Sequence, residues 1–259
     1  MISRWSETTA SRSGSPRASS NQQLLIRSQA ARGFAHICYD SSAVNRSLFH
    51  ARTVLFDWDG TLLNSYAADS RAYMAMFRAL GIDWGLEELS RHYSPDWYRV
   101  YRAARIPRSK WAQADRLWRS AYISERPPLL PGARSVIHRL ARRFTLGIVT
   151  SGSRGRVRQQ LRELELKELF ATCVFSEDVR QRKPHPAPLE LALRRLRVGR
   201  DEAVYVGDTP EDVEMAQRAG VRAIGILGPF PTAKYIRSAR PQLLLESIRE
   251  LPRYLRLRG

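Results

Sequence analysis

Val54-Leu55-Phe56-Asp57-Trp58-Asp59-Gly60-Thr61-Leu62-Leu63-Asn64-Ser65 decides how the rest of the chain reads. An apolar run ends in two carboxylates separated by a single residue, and a Gly-Thr turn follows at once. Packing gives no reason for paired acids at the end of a buried strand. An ionised carboxylate is tolerated there when something cationic, usually a metal ion, faces it. Asp57 and Asp59 are therefore candidate groups of a metal-assisted phosphoryl-transfer site.

Outward from this stretch, strand-like runs at 53–56, 146–149, 173–175, 203–206 and 223–226 alternate with helix-like stretches. A last short run at 242–245 precedes a helical pattern from Ser247 to about Leu255. Short apolar strands alternating with amphipathic helices predict an α/β fold, a parallel sheet covered by helices on both faces. Ligands bind such sheets outside the carboxyl ends of the strands, so the residues just after each strand are the ones to inspect.

The alternation breaks between 66 and 130, which reads as helix throughout. Asn64 or Ser65 is positioned to cap a first helix with Tyr73, Met76, Phe77 and Leu80 on one face, and Gly81 suits its stop. A short helix follows at 87–92. Ser94-Pro95 reads as the cap of a third, through Ala104, and Ser109 opens a fourth carrying Trp111, Ala114 and Trp118 at helical spacing. The Pro-rich strap at 126–132 returns the chain to the sheet. The predicted organisation is a core of residues 51–65 and 131–259 with a helical insertion at 66–130, whose tryptophans mostly form its own packing core.

The remaining strand ends carry three more signals. Thr150, Ser151 and Gly152 follow the 146–149 run, where a hydroxyl and exposed amides can hold a phosphate oxygen. Lys183 sits between Arg182 and Pro184 ahead of a helix, a compact point charge in a chain that otherwise uses arginine. Asp208 ends the 203–206 strand as Asp57 ends the first, with Thr209-Pro210 opening a helix and Asp212 one turn on, able to turn back toward Asp208. Each feature has an ordinary explanation as a cap or a surface charge. Four of them in order at strand ends do not.

Asp57-Trp58-Asp59-Gly60-Thr61, Thr150-Ser151-Gly152, Lys183-Pro184 and Gly207-Asp208-Thr209-Pro210-Glu211-Asp212 together resemble the four motifs of the haloacid dehalogenase superfamily. The resemblance covers about residues 52–255, and the helical insertion is similar to the cap of subfamily I, with phosphoglycolate phosphatase-like enzymes agreeing best. It implies a Rossmann-like core and an Mg²⁺-dependent phosphatase acting on a small phosphorylated substrate, phosphoglycolate or a similar phosphomonoester. Asp57 would then be the nucleophile and form an aspartyl-phosphate, and Asp59 the general acid and base. Gly60, Thr150, Ser151 and Lys183 would bind the phosphate. Mg²⁺ would be held by Asp57, the Asp59 carbonyl and Asp208, with Asp212 behind them. Asp59 separates branches of the superfamily: a leaving group that needs a proton points to a phosphate ester over a halide. Sugar-phosphate mutases, pyrophosphatases and nucleotide phosphatases share these core motifs and stand as alternatives. The residues choosing the substrate are expected among Tyr66, Arg71, His92, Tyr93, Trp97, Arg99 and Arg102.

Composition bounds the rest. The 259 residues carry 43 Lys+Arg against 25 Asp+Glu, a formal charge of +18. That charge raises a non-enzymatic alternative, an Arg-rich nucleic-acid-binding module. Lysine stands only at 110, 167, 183 and 234, and the arginines are spread along the whole chain without forming a stripe, which argues against nucleic acid as a partner. Cys38 and Cys173 offer neither a disulfide framework nor a zinc cluster, so a reducing, cytoplasmic setting is expected. No apolar stretch has the length to cross a bilayer, and no membrane partner is expected. Ser6 to Gln23 holds almost no large apolar side chains, and residues 1–50 read as a disordered extension, with 24–26 and 34–37 able to form a short amphipathic helix. Their Arg- and Ser-rich composition also resembles an organellar transit peptide, and a non-native upstream start is a third reading.

Overall fold

The computed structural model describes residues 49–258; the readings of residues 1–48 and of Cys38 lie outside them. Six parallel strands form the central sheet, in the order β4-β3-β2-β5-β6-β7. These are β2 (Thr53–Phe56), β3 (Thr145–Val149), β4 (Thr172–Val174), β5 (Ala203–Gly207), β6 (Arg222–Ile226) and β7 (Leu243–Leu245). Each lies within a residue of the run that predicts it. The first strand, β2, sits at the centre, paired with β3 on one side and β5 on the other. The acids that follow it are thereby flanked by the ends of both neighbours.

Period-two alternation sorts the strand side chains onto two faces. Val54, Phe56, Val204 and Val206 pack with Val136, Ile137 and Leu140 of a helix at Ala133–Ala141 and with Val157 and Leu161 of one at Arg154–Glu163. Leu55 and Tyr205 point the other way, against Leu189 and Ala192 of a helix at Ala187–Leu196 and Val213 and Ala216 of one at Pro210–Arg218. The sheet is thus covered on both faces, and both clusters are fully buried at their centres.

The insertion consists of α1 (Tyr66–Ala79), α2 (Leu86–His92), α3 (Trp97–Ala103) and α4 (Trp111–Tyr122). The sheet-covering helices follow as α5 (Ala133–Ala141), α6 (Arg154–Glu163), α7 (Ala187–Leu196) and α8 (Pro210–Arg218). Tyr73, Met76, Phe77, Leu89, Val100, Tyr101 and Ala114 form a separate core among the four inserted helices. The Pro-rich strap is fixed to the strand-end turn: Asn64 donates its N–H to the Pro128 carbonyl at 2.8 Å, and Leu130 donates to Leu62 at 2.8 Å. The insertion therefore leaves and re-enters beside Asp57–Ser65. No helix among the described residues is long and apolar enough to cross a membrane.

Several local expectations need correction. The third inserted helix is capped by Asp96, whose carboxylate accepts from the Tyr98 N–H at 3.2 Å, and not by Ser94. Pro95 precedes the cap, so the chain turns two residues later than the Ser-Pro pair suggests. The pattern from Ser247 yields only a 3-10 turn over Ile248–Arg253, because Pro252 removes a helix N–H. The chain then extends as β8 (Leu255–Leu257), which pairs in parallel with β1 (Phe49–Ala51), a strand the sequence pattern does not reveal. Described structure therefore starts at Phe49, inside the stretch read as an extension.

Candidate active site

The turn after β2 is closed by Gly60 in the left-handed region, φ +87°. A Cβ there would run into the Asp208 carboxylate and lie 2.7 Å from Phe230, so only glycine permits the approach. Thr61 hydroxyl donates to Asp208 Oδ1 at 3.0 Å, which ties the ends of β2 and β5 together.

Lys183 is the cation at the centre. Its buried Nζ donates to Asp57 Oδ1 at 2.5 Å and to Asp212 Oδ1 at 2.7 Å. Asp212 turns back toward Asp208, as its spacing suggests, with a carboxylate oxygen within 4.8 Å of one of Asp208's, but its hydrogen bonds go elsewhere. Its Oδ1 also accepts the Tyr205 hydroxyl at 2.9 Å, and its Oδ2 accepts the Thr209 N–H and hydroxyl in a capping box at the start of α8. With both oxygens occupied, Asp212 orients Lys183 and the helix start. Asp208 is fully buried and its Oδ2 has no partner among the described residues.

Charge crowding sets the protonation of this cluster. Burial pushes the Asp57 carboxyl up to about 7, against the pull of Lys183 and with the help of Asp212. Asp208 is driven well above the carboxylate range by burial, Asp57 and Asp212. Burial disfavours the Lys183 charge, yet Asp212 and Asp57 hold its ammonium above the usual lysine value. One lysine cannot neutralise three buried acids. Asp57, Asp208 and Asp212 each offer a carboxylate oxygen, all within 4.8 Å of one another, which is a donor set that suits a hard cation. The unpartnered Asp208 oxygen is the observation that favours such an ion, since a buried polar atom demands a partner.

Asp59 behaves differently. Its half-buried carboxylate is gripped by Arg156 of α6 in a two-pronged pair, Nη1 to Oδ1 at 2.9 Å and Nη2 to Oδ2 at 2.6 Å. Burial would raise Asp59, but Arg156 holds it below the usual carboxylate range. Gly152 leaves the room for this: a Cβ there would meet the Arg156 guanidinium and lie 2.8 Å from Val157. Sequence reasoning missed Arg156. Its signal is its place one turn into the helix that Thr150-Ser151-Gly152 opens. Thr150 is buried beside it, its hydroxyl accepting the Gly152 N–H at 2.9 Å, and Ser151 is half-buried.

Asp57, Asp59, Thr150, Ser151, Lys183 and Asp212 all line one cavity of about 360 Å³ that continues among the inserted helices. Of the residues expected to choose a substrate, Tyr93 and Trp97 line it. The others do not. Arg71 pairs with Glu125, Arg99 and Arg102 lie by Asp96, His92 stacks on Trp84, and Tyr66 packs on Tyr93 and Phe230. Asp69, Tyr98, Trp118 and Tyr122 take their places in the lining. Trp118, read as a packing residue, is only partly so: its buried indole N–H, like that of Trp97, has no partner among the described residues.

Residues 54–226 match the family described as haloacid dehalogenase-like hydrolase. The pyrophosphatase PpaX of Oceanobacillus iheyensis is 26% identical over 204 residues, 77% of this chain and 94% of that protein. A phosphoglycolate phosphatase of Photorhabdus laumondii is 24% identical, covering 77% of this chain and 90% of that protein. Among solved structures, CbbY of Rhodobacter sphaeroides in complex with phosphate superposes with a TM-score of 0.69 at 28% identity, over 78% of this chain and 96% of that one.

Proposed function

Because the chain belongs to the haloacid dehalogenase-like hydrolases, we propose that it is an Mg²⁺-dependent phosphatase that hydrolyses a small phosphomonoester through an aspartyl-phosphate on Asp57. The supporting observation is the convergence of four strand ends: Lys183 bridges Asp57 and Asp212 while Asp208 keeps a buried oxygen unpartnered beside them. The relatives' names, a phosphoglycolate phosphatase and a pyrophosphatase, fit the same chemistry.

Asp57 is the group that attacks phosphorus, because it ends the central strand at the floor of the cavity and its partner cation is already in place. Lys183, the Thr150 hydroxyl and Ser151 take the non-bridging oxygens as charge redistributes; the Gly60 amide, expected to join them, instead donates to the Leu63 carbonyl at 2.8 Å. Asp57, the Asp59 carbonyl and Asp208 would hold the magnesium ion, which would supply charge neutralisation at the phosphoryl oxygens. Asp59, ionised by Arg156, is set to take a proton from the attacking water. To protonate the leaving oxygen Asp59 must first take up a proton from solvent, which requires its pair with Arg156 to open. Release of phosphate from p-nitrophenyl phosphate by the full-length protein, present with Mg²⁺ and lost on chelation, tests the reading. Absence of turnover on any phosphomonoester with Mg²⁺ would overturn it.

Two predictions follow from the charges. Asp57 has a folded-state value near 7, above its ordinary 3.8. The native state then holds a proton that the unfolded chain releases, and metal-free stability falls as pH rises from about 4 to 7. Asp69 and Asp208 contribute with the same sign. Mg²⁺ binds the ionised acids, so saturating metal should raise the melting temperature more at pH 8 than at pH 5. At a hundredfold excess over Kd the gain is about 2.7 kcal/mol, readable by differential scanning fluorimetry. Equal gains at both pH values would argue against a carboxylate site.

The second concerns Arg156→Met. Without the guanidinium, only the Ser65 hydroxyl and the Lys183 charge still oppose the effect of burial on Asp59, so the acid limb of the kcat–pH profile should move to higher pH. The loss at the optimum should be about tenfold, since one charge-assisted pair is removed and the nucleophile is untouched. An unmoved limb would show that Asp59 is not the titrating base.

A further inference from the structure

One contact between the inserted helices and the core falls on the residue next to Lys183. The loop between β4 and α7 sends Lys183 Nζ inward, to Asp57 at 2.5 Å and Asp212 at 2.7 Å. Its neighbour Arg182 turns to the insertion. That side chain is half-buried, and its partners are rings instead of acids. The guanidinium carbon lies 4.0 Å from the Trp97 ring centre and 5.1 Å from that of Tyr98, both in the first turn of α3. A guanidinium over an indole ring is a directional contact, because its planar ion matches the ring face, and partial burial strengthens it.

The stack continues into the insertion. Tyr98 lies against Trp111 of α4, with ring centres 4.6 Å apart and planes 14° from parallel. The Trp97 indole N–H has no hydrogen-bond partner among the described residues, so the ring is held through its faces. On the core side the loop is tied more lightly. The exposed Arg218 donates to the Pro184 carbonyl at 3.1 Å. Two further bonds are internal to the loop and its helix start: His185 N–H to the Arg182 carbonyl at 2.8 Å, and Ala187 N–H to His185 Nδ1 at 3.1 Å. Arg99 and Glu211 also meet across the interface, at 4.0 Å, but Arg99 is more than half exposed and such a pair holds little. Lys183 must reach two acids and the phosphoryl oxygens from this one loop, and a misplacement of about 1 Å is costly at a reacting centre. We propose that Arg182 is a positioning residue: its stack on Trp97 and Tyr98 fixes the loop from which Lys183 works, so Lys183 is aligned only while the inserted helices are docked. The inference rests on the phosphatase reading and adds to it a role for a residue outside the four motifs.

The test is kcat and KM of the full-length protein on p-nitrophenyl phosphate with Mg²⁺. Lys183 acts on charge that redistributes in the transition state, so its misplacement should appear in kcat more than in KM. Arg182→Leu should lower kcat about tenfold or more and change KM by less than about threefold. Trp97→Leu should do the same, and Trp97→Phe, which keeps a ring under the guanidinium, should recover most of that loss. Because one contact is being removed twice, the double variant Arg182→Leu/Trp97→Leu should lose no more kcat than either single one. Where Arg182→Leu fails to fold, the Trp97→Leu and Trp97→Phe pair carries the same test. A loss confined to KM would make Arg182 a substrate contact and overturn the inference. So would an unchanged kcat beside a lowered melting temperature, which is the mark of a purely structural stack, or losses that multiply in the double variant. Each of these leaves the phosphatase reading standing. No turnover by the parent protein overturns both.

Discussion

Asp57→Asn should abolish phosphate release from p-nitrophenyl phosphate, by roughly 10⁴-fold or more, because the amide cannot form the covalent phosphoryl intermediate. The same variant should be at least as stable as the parent without metal. The carboxyl is raised to about 7 by burial, so its ionised form costs stability above that pH, and the neutral amide removes the cost. Asparagine keeps an oxygen that can accept from Lys183 Nζ, which sits 2.5 Å from Asp57 Oδ1. The Mg²⁺-induced rise in melting temperature should shrink, since one charged ligand is lost. Activity and the Mg²⁺-induced rise therefore fall while metal-free melting holds or increases. A merely misfolded variant would lower metal-free melting as well, and undiminished activity would sink the covalent mechanism.

The reason so much of this site is legible in the sequence is topological. In a parallel sheet every catalytic strand end is at the same edge, so Asp57, Thr150 and Asp208 come together whatever the loops do. The strand pairing bears this out, with β2 registered against both β3 and β5. Asp212 is partly legible: its place on the first turn of α8 is fixed by the capping box, but its partner is decided by Lys183, which arrives from a different loop. Arg156 and Asp69 are not legible. Both sit on helices where charge is common, and what makes each unusual is burial against a neighbour far away in sequence, Asp59 for one and Tyr93 with Trp118 for the other. The arginines expected as substrate contacts lie outside the main cavity for the converse reason. Arg71, Arg99 and Arg102 have the right chemistry, but the helix faces that carry them leave each more than half exposed beside an acid, and only Arg99 lines a second opening that also reaches Lys183.

Lys183→Met should have the second largest effect, and its pH dependence identifies the cause. The side chain is long enough to keep the packing, but Asp57 and Asp212 lose the only ammonium between them. Removing one partner of a buried charged pair costs about 3–5 kcal/mol, or roughly 10 °C of melting temperature for a domain of this size. That cost is present only where the acids are ionised. Without Lys183, burial and mutual repulsion raise Asp57 and Asp208 still further, so at pH 5 they are protonated and the variant should lose little. At pH 8 the deficit should be full in chelator and partly recovered by Mg²⁺, which supplies positive charge to the same cluster. Catalysis should not recover with it: the phosphoryl oxygens still lack their lysine, and kcat/KM should stay about 10²–10³-fold down. Melting curves at the two pH values, with and without Mg²⁺, check the electrostatic account. A loss of equal size at pH 5 and pH 8 would assign the effect to packing and remove Lys183 from the charge balance of the site.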